Sequence, residues 1–151
     1  MTYREALTAL DALYAALPTV PCKRQCQASC GVIVMTRFEW VRMQRKLGYK
    51  PKGKPTLICP MLKHGACSVH SIRPLICRLW GCIDDPMMRC PFGCQPSAWL
   101  TMEDSRRILS LGEAISRAIY PEDEATAWAQ GLNPDEIETF IGACQRLGLM
   151  R

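Results

Sequence analysis

Nine of the ten cysteines in this 151-residue chain lie between residues 22 and 94, in groups with short spacings. Thiolates are soft ligands, and at such spacings they select zinc or iron–sulfur clusters over hard cations. The sequence therefore predicts a metal centre in this region. Its candidate ligands are Cys22, Cys26, Cys30, Cys59, Cys67, Cys77, Cys82, Cys90 and Cys94.

The spacing of these cysteines allows more than one arrangement. The first three follow the pattern CxxxCxxxC, and the last two repeat the three-residue interval, which lets two sulfurs in a loop reach one ion. One [4Fe-4S] cluster or one zinc ion takes about four ligands. Either two sites exist, or some of the cysteines are small buried apolar residues. The Cys59-Pro60 step and the excess of cysteine over histidine favour a [4Fe-4S] cluster, with zinc as the alternative.

No segment of the chain is typical of export or of membrane insertion. No apolar run reaches the length of about 18 residues that a membrane helix needs. Arg4, Glu5 and Asp11 interrupt the apolar pattern at the N-terminus, whereas a secretory signal has an uninterrupted apolar centre. We therefore expect a cytoplasmic protein with no membrane contact, in which the thiols stay reduced.

Other charged and polar residues offer weaker signals. A basic run over residues 42–54, with Trp40 and Tyr49, permits phosphate contacts and base stacking, although a solvated helix face is the commoner explanation. We expect a protein partner, and the 42–54 segment makes nucleic acid an option. The basic residues are Arg42, Arg45, Lys46, Lys50, Lys52 and Lys54.

No catalytic residue is predicted. The chain contains no phosphate-binding glycine loop, no HExxH and no GxSxG. The CxxxCxxxC pattern is one residue longer than the radical-SAM spacing CxxxCxxC. The sequence thus favours a non-enzymatic protein and leaves enzymatic activity open.

Amphipathic helices are predicted on both sides of the cysteine-rich stretch. Residues 2–17 carry leucines at helical spacing. Thr36, followed three residues later by glutamate, predicts a helix that ends near Leu47. Thr101 opens another helix that runs to about Tyr120. The apolar face of this helix is Ile108, Leu111, Ile115, Ala118 and Ile119.

The remaining segments are less regular. Residues 32–35 predict a short strand, and residues 48–56 an exposed loop. Between residues 56 and 96, prolines and glycines exclude long elements, so metal bonds are expected to replace a hydrophobic core there. Two further helical segments follow Pro121, and Cys144 lies on the apolar face of the last one.

The predicted fold class is mainly α with a small irregular α+β part. We expect a single domain over residues 1–151, with an N-terminal helix within 1–20. A metal-pinned, cysteine-rich core follows over 21–96, and C-terminal helices occupy 97–151.

The cysteine segments resemble the YkgJ-type cysteine-cluster family, which is described by a CxxCxxCC motif and by zinc or iron chelation. After the first three cysteines, the matching segments are CPML at 59–62, GACSVH at 65–70 and RPLICR at 73–78, in the family's order and spacing. Gly31 stands where the family has a second paired cysteine, and His70 stands where tyrosine is common.

The resemblance implies a cofactor class more than an activity. A flagellin lysine methylase with a similar cysteine motif is associated with a [4Fe-4S] cluster, which favours iron–sulfur. The resemblance to the family also implies a further function, as a subunit or remnant of a methyl-transferring enzyme. Within the matching segments, His64 and His70 are expected to orient a sulfur or cap a loop rather than to bind metal. Arg73 and Arg78 either interact with the thiolates or form surface salt bridges.

The sequence therefore predicts a small [4Fe-4S] protein with a redox, sensory or partner-interaction role. The alternative is a zinc-stabilised, non-catalytic module that contacts nucleic acid or protein.

Overall fold

Helices dominate the described part of the chain. The computed structural model describes residues 1–26, 30–31, 33–51 and 58–121. The elements are α1 (Tyr3–Ala15), α2 (Arg37–Leu47), β1 (Leu62–Lys63), β2 (Ala66–Cys67), a 3-10 turn (His70–Ile72), α3 (Leu75–Leu79) and α4 (Met102–Arg117). The predicted class, mainly α with a small α+β part, is confirmed. The helical segments predicted after Pro121 lie outside the described residues, as does Cys144. Across these ranges, each helix is too short or too polar to cross a bilayer.

Local capping explains where the three long helices begin. The side chains of Thr2, Thr36 and Thr101 each accept a hydrogen bond from the backbone N–H of the residue three positions later. That later residue is acidic, and its carboxylate accepts a hydrogen bond from the backbone N–H of the threonine. Each cap stabilises its helix by about 1 kcal/mol. At its other end α2 stops at Gly48, whose φ of 72° is left-handed and suits glycine. The predicted starts at Thr36 and Thr101 are therefore confirmed.

All four helices contribute to one apolar core. Ala6 and Leu10 of α1, Phe38 of α2 and Leu75 of α3 are nearly inaccessible to solvent, and Ile115 of α4 packs against them. Burial of each large apolar side chain is worth about 1.5–3 kcal/mol. We call this the helical core.

Most of the predicted apolar face of α4 packs against this core, namely Ile108, Ile115 and Ile119. Leu111 is 50% exposed and Ala118 is also exposed, so the assignment of these two residues to the face was wrong. The buried positions of α4 are instead Ser105, Gly112 and Ser116. Small residues allow close approach, and the Phe38 N–H donates to Ser116 Oγ at 3.2 Å. A count of large apolar residues does not detect a contact of this kind.

A second core lies between α2 and the β1–β2 hairpin. Its buried members, which we call the hairpin core, are Met35, Trp40, Met43, Met61 and Val69. The cysteine-rich stretch thus supplies apolar side chains of its own, which corrects the expectation that metal bonds replace a core there. Residues 33–35 are also not a strand; Met35 packs into the hairpin core rather than pairing in a sheet.

A buried carboxylate joins three of the helices. Glu39 is 4% exposed. Its Oε1 accepts hydrogen bonds from the Tyr14 hydroxyl of α1 at 2.9 Å and from the N–H of Leu75, the first residue of α3, at 2.7 Å. Its Oε2 accepts from the N–H and hydroxyl of Thr36, both at 3.1 Å. The same side chain therefore caps α2 and satisfies donors on α1 and α3.

Tyr14 stays protonated at this junction. Burial, the Glu39 charge and the hydrogen bond to Glu39 raise the pKa of Tyr14 far above its ordinary value. The guanidinium groups of Arg42 and Arg78 lie 4.8 and 4.1 Å from the centre of its ring. These cation–π contacts connect α2 and α3 to α1.

Replacing Glu39 should destabilise the fold strongly. In Glu39→Ala, the Tyr14 hydroxyl and the Leu75 N–H lose their acceptor, and each such loss costs about 1–3 kcal/mol. We expect urea unfolding followed by circular dichroism to show a loss of about 3 kcal/mol. The matched control is Glu113→Ala on the exposed face of α4, with an expected change below about 0.5 kcal/mol. Equal effects of the two substitutions would contradict the role of Glu39.

An alanine at Gly112 should also destabilise the protein. In an ordinary helix, Gly→Ala stabilises by about 1 kcal/mol, but a Cβ on Gly112 would overlap Cδ1 of the buried Leu75. We expect Gly112→Ala to lower the free energy of unfolding by about 1–3 kcal/mol. Added to Leu75→Ala, it should instead be neutral or stabilising, because the obstructing side chain is gone. A stabilising effect in the wild-type background would contradict the close packing of α3 on α4.

Candidate metal centre

All nine candidate cysteines lie among the described residues, and all nine are free thiols. Cys82 and Cys94 are buried, and the other seven are partly exposed. Their positions follow from loops and short elements that the two cores hold in place.

The backbone brings Cys30 and Cys59 together. The Cys59 N–H donates to the Cys30 carbonyl at 3.0 Å, so two segments distant in sequence meet at the cysteines themselves. The Leu62 N–H donates to the Cys59 carbonyl at 3.0 Å. Burial raises the pKa of the Cys59 thiol, and the nearby Met61 and Leu62 amides oppose that shift. The CPML segment is therefore a tight loop that closes on Cys59.

The hairpin places Cys67 beside this loop. In the antiparallel pairing Leu62 lies opposite Cys67, and both Cys59 and Cys67 pack against the hairpin core. His64 and Gly65 form the two-residue turn with φ of 49° and 76°, as type I′ hairpins require. His64 is thus exposed at the hairpin tip.

Cys77, from α3, completes a set of four neighbouring thiols. We call Cys30, Cys59, Cys67 and Cys77 the first cysteine group. Burial raises the pKa of Cys77 to about 12, and the three other thiols of the group add to that shift. Burial raises the pKa of Cys30 to about 11, with further contributions from Cys26, Cys59 and Cys67. Each thiol of the group is thus within electrostatic range of the other three.

Four of the remaining five cysteines, all but Cys82, form a second set. We call Cys22, Cys26, Cys90 and Cys94 the second cysteine group. Burial raises the pKa of Cys26, and the thiols of Cys22 and Cys90 contribute. For Cys90, burial raises the pKa, but other contributions lower it overall. These are hydrogen bonds from the Phe92 N–H, the Cys94 N–H and the Cys94 thiol, together with the positive charge of Lys23.

Hydrogen bonds between two segments hold the two halves of the second group side by side. The Lys23 ammonium donates to the Phe92 carbonyl at 3.1 Å. Thr19 and Ser97 exchange two hydrogen bonds: the Thr19 N–H donates to Ser97 Oγ at 3.0 Å, and the Ser97 N–H donates to the Thr19 carbonyl at 2.8 Å. Residues 19–23 therefore run beside residues 92–97.

Cys82 belongs to neither group. Its side chain is fully buried, and its thiol donates to the Arg78 carbonyl at 3.3 Å, with the Pro18 carbonyl at 3.8 Å. Burial raises the pKa of this thiol. These contacts are those of a small core residue. In the sequence, Cys82 is not distinguishable from the other eight candidate ligands, because its short distance from Cys77 carries no information about burial.

Cationic side chains surround the cysteines. The Arg73 charge acts on the thiols of Cys26, Cys77 and Cys82, in each case lowering the pKa against the effect of burial. Arg78 instead donates to the carbonyls of Arg73 and Ser71 at 2.8 and 2.9 Å. Of the two interpretations offered by the sequence, Arg73 thus fits the interaction with thiolates.

His70 is a neutral neighbour of Arg73. Burial and then the charges of Arg73, Arg24 and Arg78 lower the pKa of His70 to about 4. One Arg73 Nη lies 2.7 and 3.0 Å from the two ring nitrogens and donates to the His70 carbonyl at 3.0 Å. The imidazole therefore faces a guanidinium.

Part of the basic segment 42–54 packs against α1. Arg42 forms a salt bridge with Asp11 of α1 and is 14% exposed. The Arg45 guanidinium lies 3.9 Å from the centre of the Tyr3 ring. Lys52 and Lys54 lie outside the described residues. Two of the cations considered for phosphate contact therefore pack against α1.

The side chains as placed do not converge on a metal position. In the ranges 1–26, 30–31, 33–51 and 58–121, no three Cys, His, Asp or Glu side chains are close enough to hold one ion. Ligation of a metal would require deprotonated thiols and side-chain rotation.

Cys82 should be dispensable for metal binding. We expect Cys82→Ala to retain the metal content of the wild-type protein and to lower the free energy of unfolding by about 1 kcal/mol. Cys77→Ala, the matched substitution in the first group, should lose metal. Metal analysis and thermal unfolding of both variants test this. Equal metal loss in the two would restore Cys82 as a ligand.

No protein-family model, curated protein or solved structure matches this chain. The resemblance to the YkgJ-type cysteine-cluster family therefore stays a prediction from the motif residues.

Proposed function

We propose that this chain is a small iron–sulfur protein that holds a [4Fe-4S] cluster on Cys30, Cys59, Cys67 and Cys77. The observation that carries the proposal is that these four thiols, from four separate segments, are mutual electrostatic neighbours beside the hairpin core. Four cysteine thiolates are the usual ligand set of such a cluster.

The surroundings of the first group suit an anionic cluster. Amides near a ligating sulfur stabilise negative charge, and those of Met61 and Leu62 lower the pKa of the Cys59 thiol against the effect of burial. Arg73 adds positive charge near Cys77. Met61 and Val69, both 3% exposed, keep water from one side of the group and so would influence the reduction potential.

Some residues would bind the cluster, and others would influence its reduction potential. A bound [4Fe-4S] cluster supplies one-electron transfer. The four cysteines would hold it, the CPML amides and Arg73 would offset its charge, and the hairpin core would limit its exposure. The proposed role is redox, sensory or interaction with a protein partner. We place the protein in the cytoplasm, where nine free thiols remain reduced.

The alternative is a zinc-stabilised module that binds nucleic acid or protein. Four thiolates also form a structural zinc site, so donor type does not separate the two functions. The ligand segments favour iron: each supplies one cysteine, and Cys59 is followed by proline. The packing of Arg42 and Arg45 against α1 leaves fewer basic groups for a nucleic acid.

Metal analysis with a visible spectrum of the anaerobically purified chain tests the proposal. We expect about four iron and four sulfide per chain, with a broad visible band that dithionite bleaches. Cys59→Ser and Cys77→Ser should lose the band, whereas the control Cys82→Ser should keep it. A colourless protein, or a band that survives in both ligand variants, would overturn the assignment.

A further inference from the structure

The two CxxxC loops of the chain share a local geometry. In the first, Cys22 Sγ accepts a hydrogen bond from the N–H of Arg24, two residues on, at 3.4 Å. In the second, the Cys90 sulfur accepts from the N–H of Phe92, also two residues on. Each loop turns through a left-handed residue, with φ of 57° at Arg24 and 72° at Gly93. Both loops therefore direct an amide at the sulfur of their first cysteine.

These loops face each other. The ammonium of Lys23, within the first loop, donates to the carbonyl of Phe92, within the second. The Cys26 thiol is within electrostatic range of both Cys22 and Cys90. Cys94 lies at the buried end of the second loop, 6% exposed. Each loop thus carries two cysteines on facing segments, and binding one ion requires their side chains to rotate toward one another.

Backbone hydrogen bonds hold the second loop in place. The Gly81 N–H, next to Cys82, donates to the Met88 carbonyl at 2.9 Å. The Gly93 N–H donates to the Cys90 carbonyl at 3.1 Å, which closes the turn. The positions of Cys90 and Cys94 are therefore set by the backbone.

We propose that the second cysteine group, Cys22, Cys26, Cys90 and Cys94, binds one structural zinc ion in a tetrahedral four-sulfur site. Paired cysteines separated by two to four residues are the spacing typical of structural zinc, and this site consists of two such pairs. Amide donors and Lys23 stabilise the charge of the four thiolates. The assignment uses none of the cysteines of the proposed iron–sulfur site.

The ion would join segments that otherwise share few bonds. Residues 18–26 follow α1, and residues 90–97 precede α4. Hydrogen bonds at Thr19, Ser97 and Lys23 connect them. Because binding to the folded chain adds to its stability, removal of zinc should lower the unfolding temperature and free both loops.

Metal analysis of single-cysteine variants separates this site from the cluster site. In the anaerobically purified chain we expect about one zinc per chain besides iron. Cys22→Ser and Cys94→Ser should lose zinc and keep the visible band. Cys59→Ser should lose the band and keep zinc, and the control Cys82→Ser should keep both. Zinc retained in both loop variants, or lost in Cys59→Ser, would overturn the assignment.

Two outcomes distinguish failure of this inference from failure of the proposed function. A colourless protein that loses zinc only in the loop variants would retain the zinc site and remove the cluster. A coloured protein without zinc would retain the cluster and remove the zinc site.

Alkylation of the wild-type chain provides a test that does not depend on the folding of variants. After treatment with a chelator, addition of zinc should protect Cys22, Cys26, Cys90 and Cys94 from iodoacetamide, as read by mass spectrometry. Cobalt added in place of zinc should give the absorption of a tetrahedral four-thiolate site. Protection of a different set of cysteines would contradict the proposal.

Discussion

The buried carboxylate of Glu39 is the interaction on which the helical framework depends. It takes a hydroxyl donor from α1, the cap of its own helix and the first N–H of α3. A buried carboxylate is costly unless its oxygens are hydrogen-bonded, and here both oxygens have donors. The same bonds set the start of α3 and hence the position of Cys77, two residues further along the chain.

This framework gives the cysteine-rich stretch a support that does not consist of metal bonds. The hairpin core packs beneath Cys59 and Cys67, and the helical core fixes α3. The proposed metal binding would add stability mainly to the loops between these elements. The loops of residues 18–26 and 82–100 contain little regular structure, and their hydrogen bonds to each other are few. They are where ligation would make the largest difference.

Features encoded over a few residues could be predicted from the sequence. Thr36 and Thr101 start helices because a side chain and an amide three residues apart complete the cap locally. Contacts between small residues could not be predicted in this way. Gly112 and Ser116 are buried because Leu75 and the Phe38 backbone approach them, while Leu111 remains exposed. The role of Glu39 in capping α2 could be predicted from the sequence, but its hydrogen bonds to α1 and α3 could not.

By itself, the sequence determined the chemistry that this protein offers: nine clustered thiols, their short spacings and the helices that flank them. Only the tertiary structure decided which thiols are neighbours. Cys30 meets Cys59 through a backbone hydrogen bond, and residues 19–23 meet 92–97 through Lys23 and Ser97. Cys82, close in sequence to Cys77, is fully buried, and its thiol meets the Arg78 and Pro18 carbonyls. Such grouping depends on contacts between distant segments, for which local spacing carries no signal.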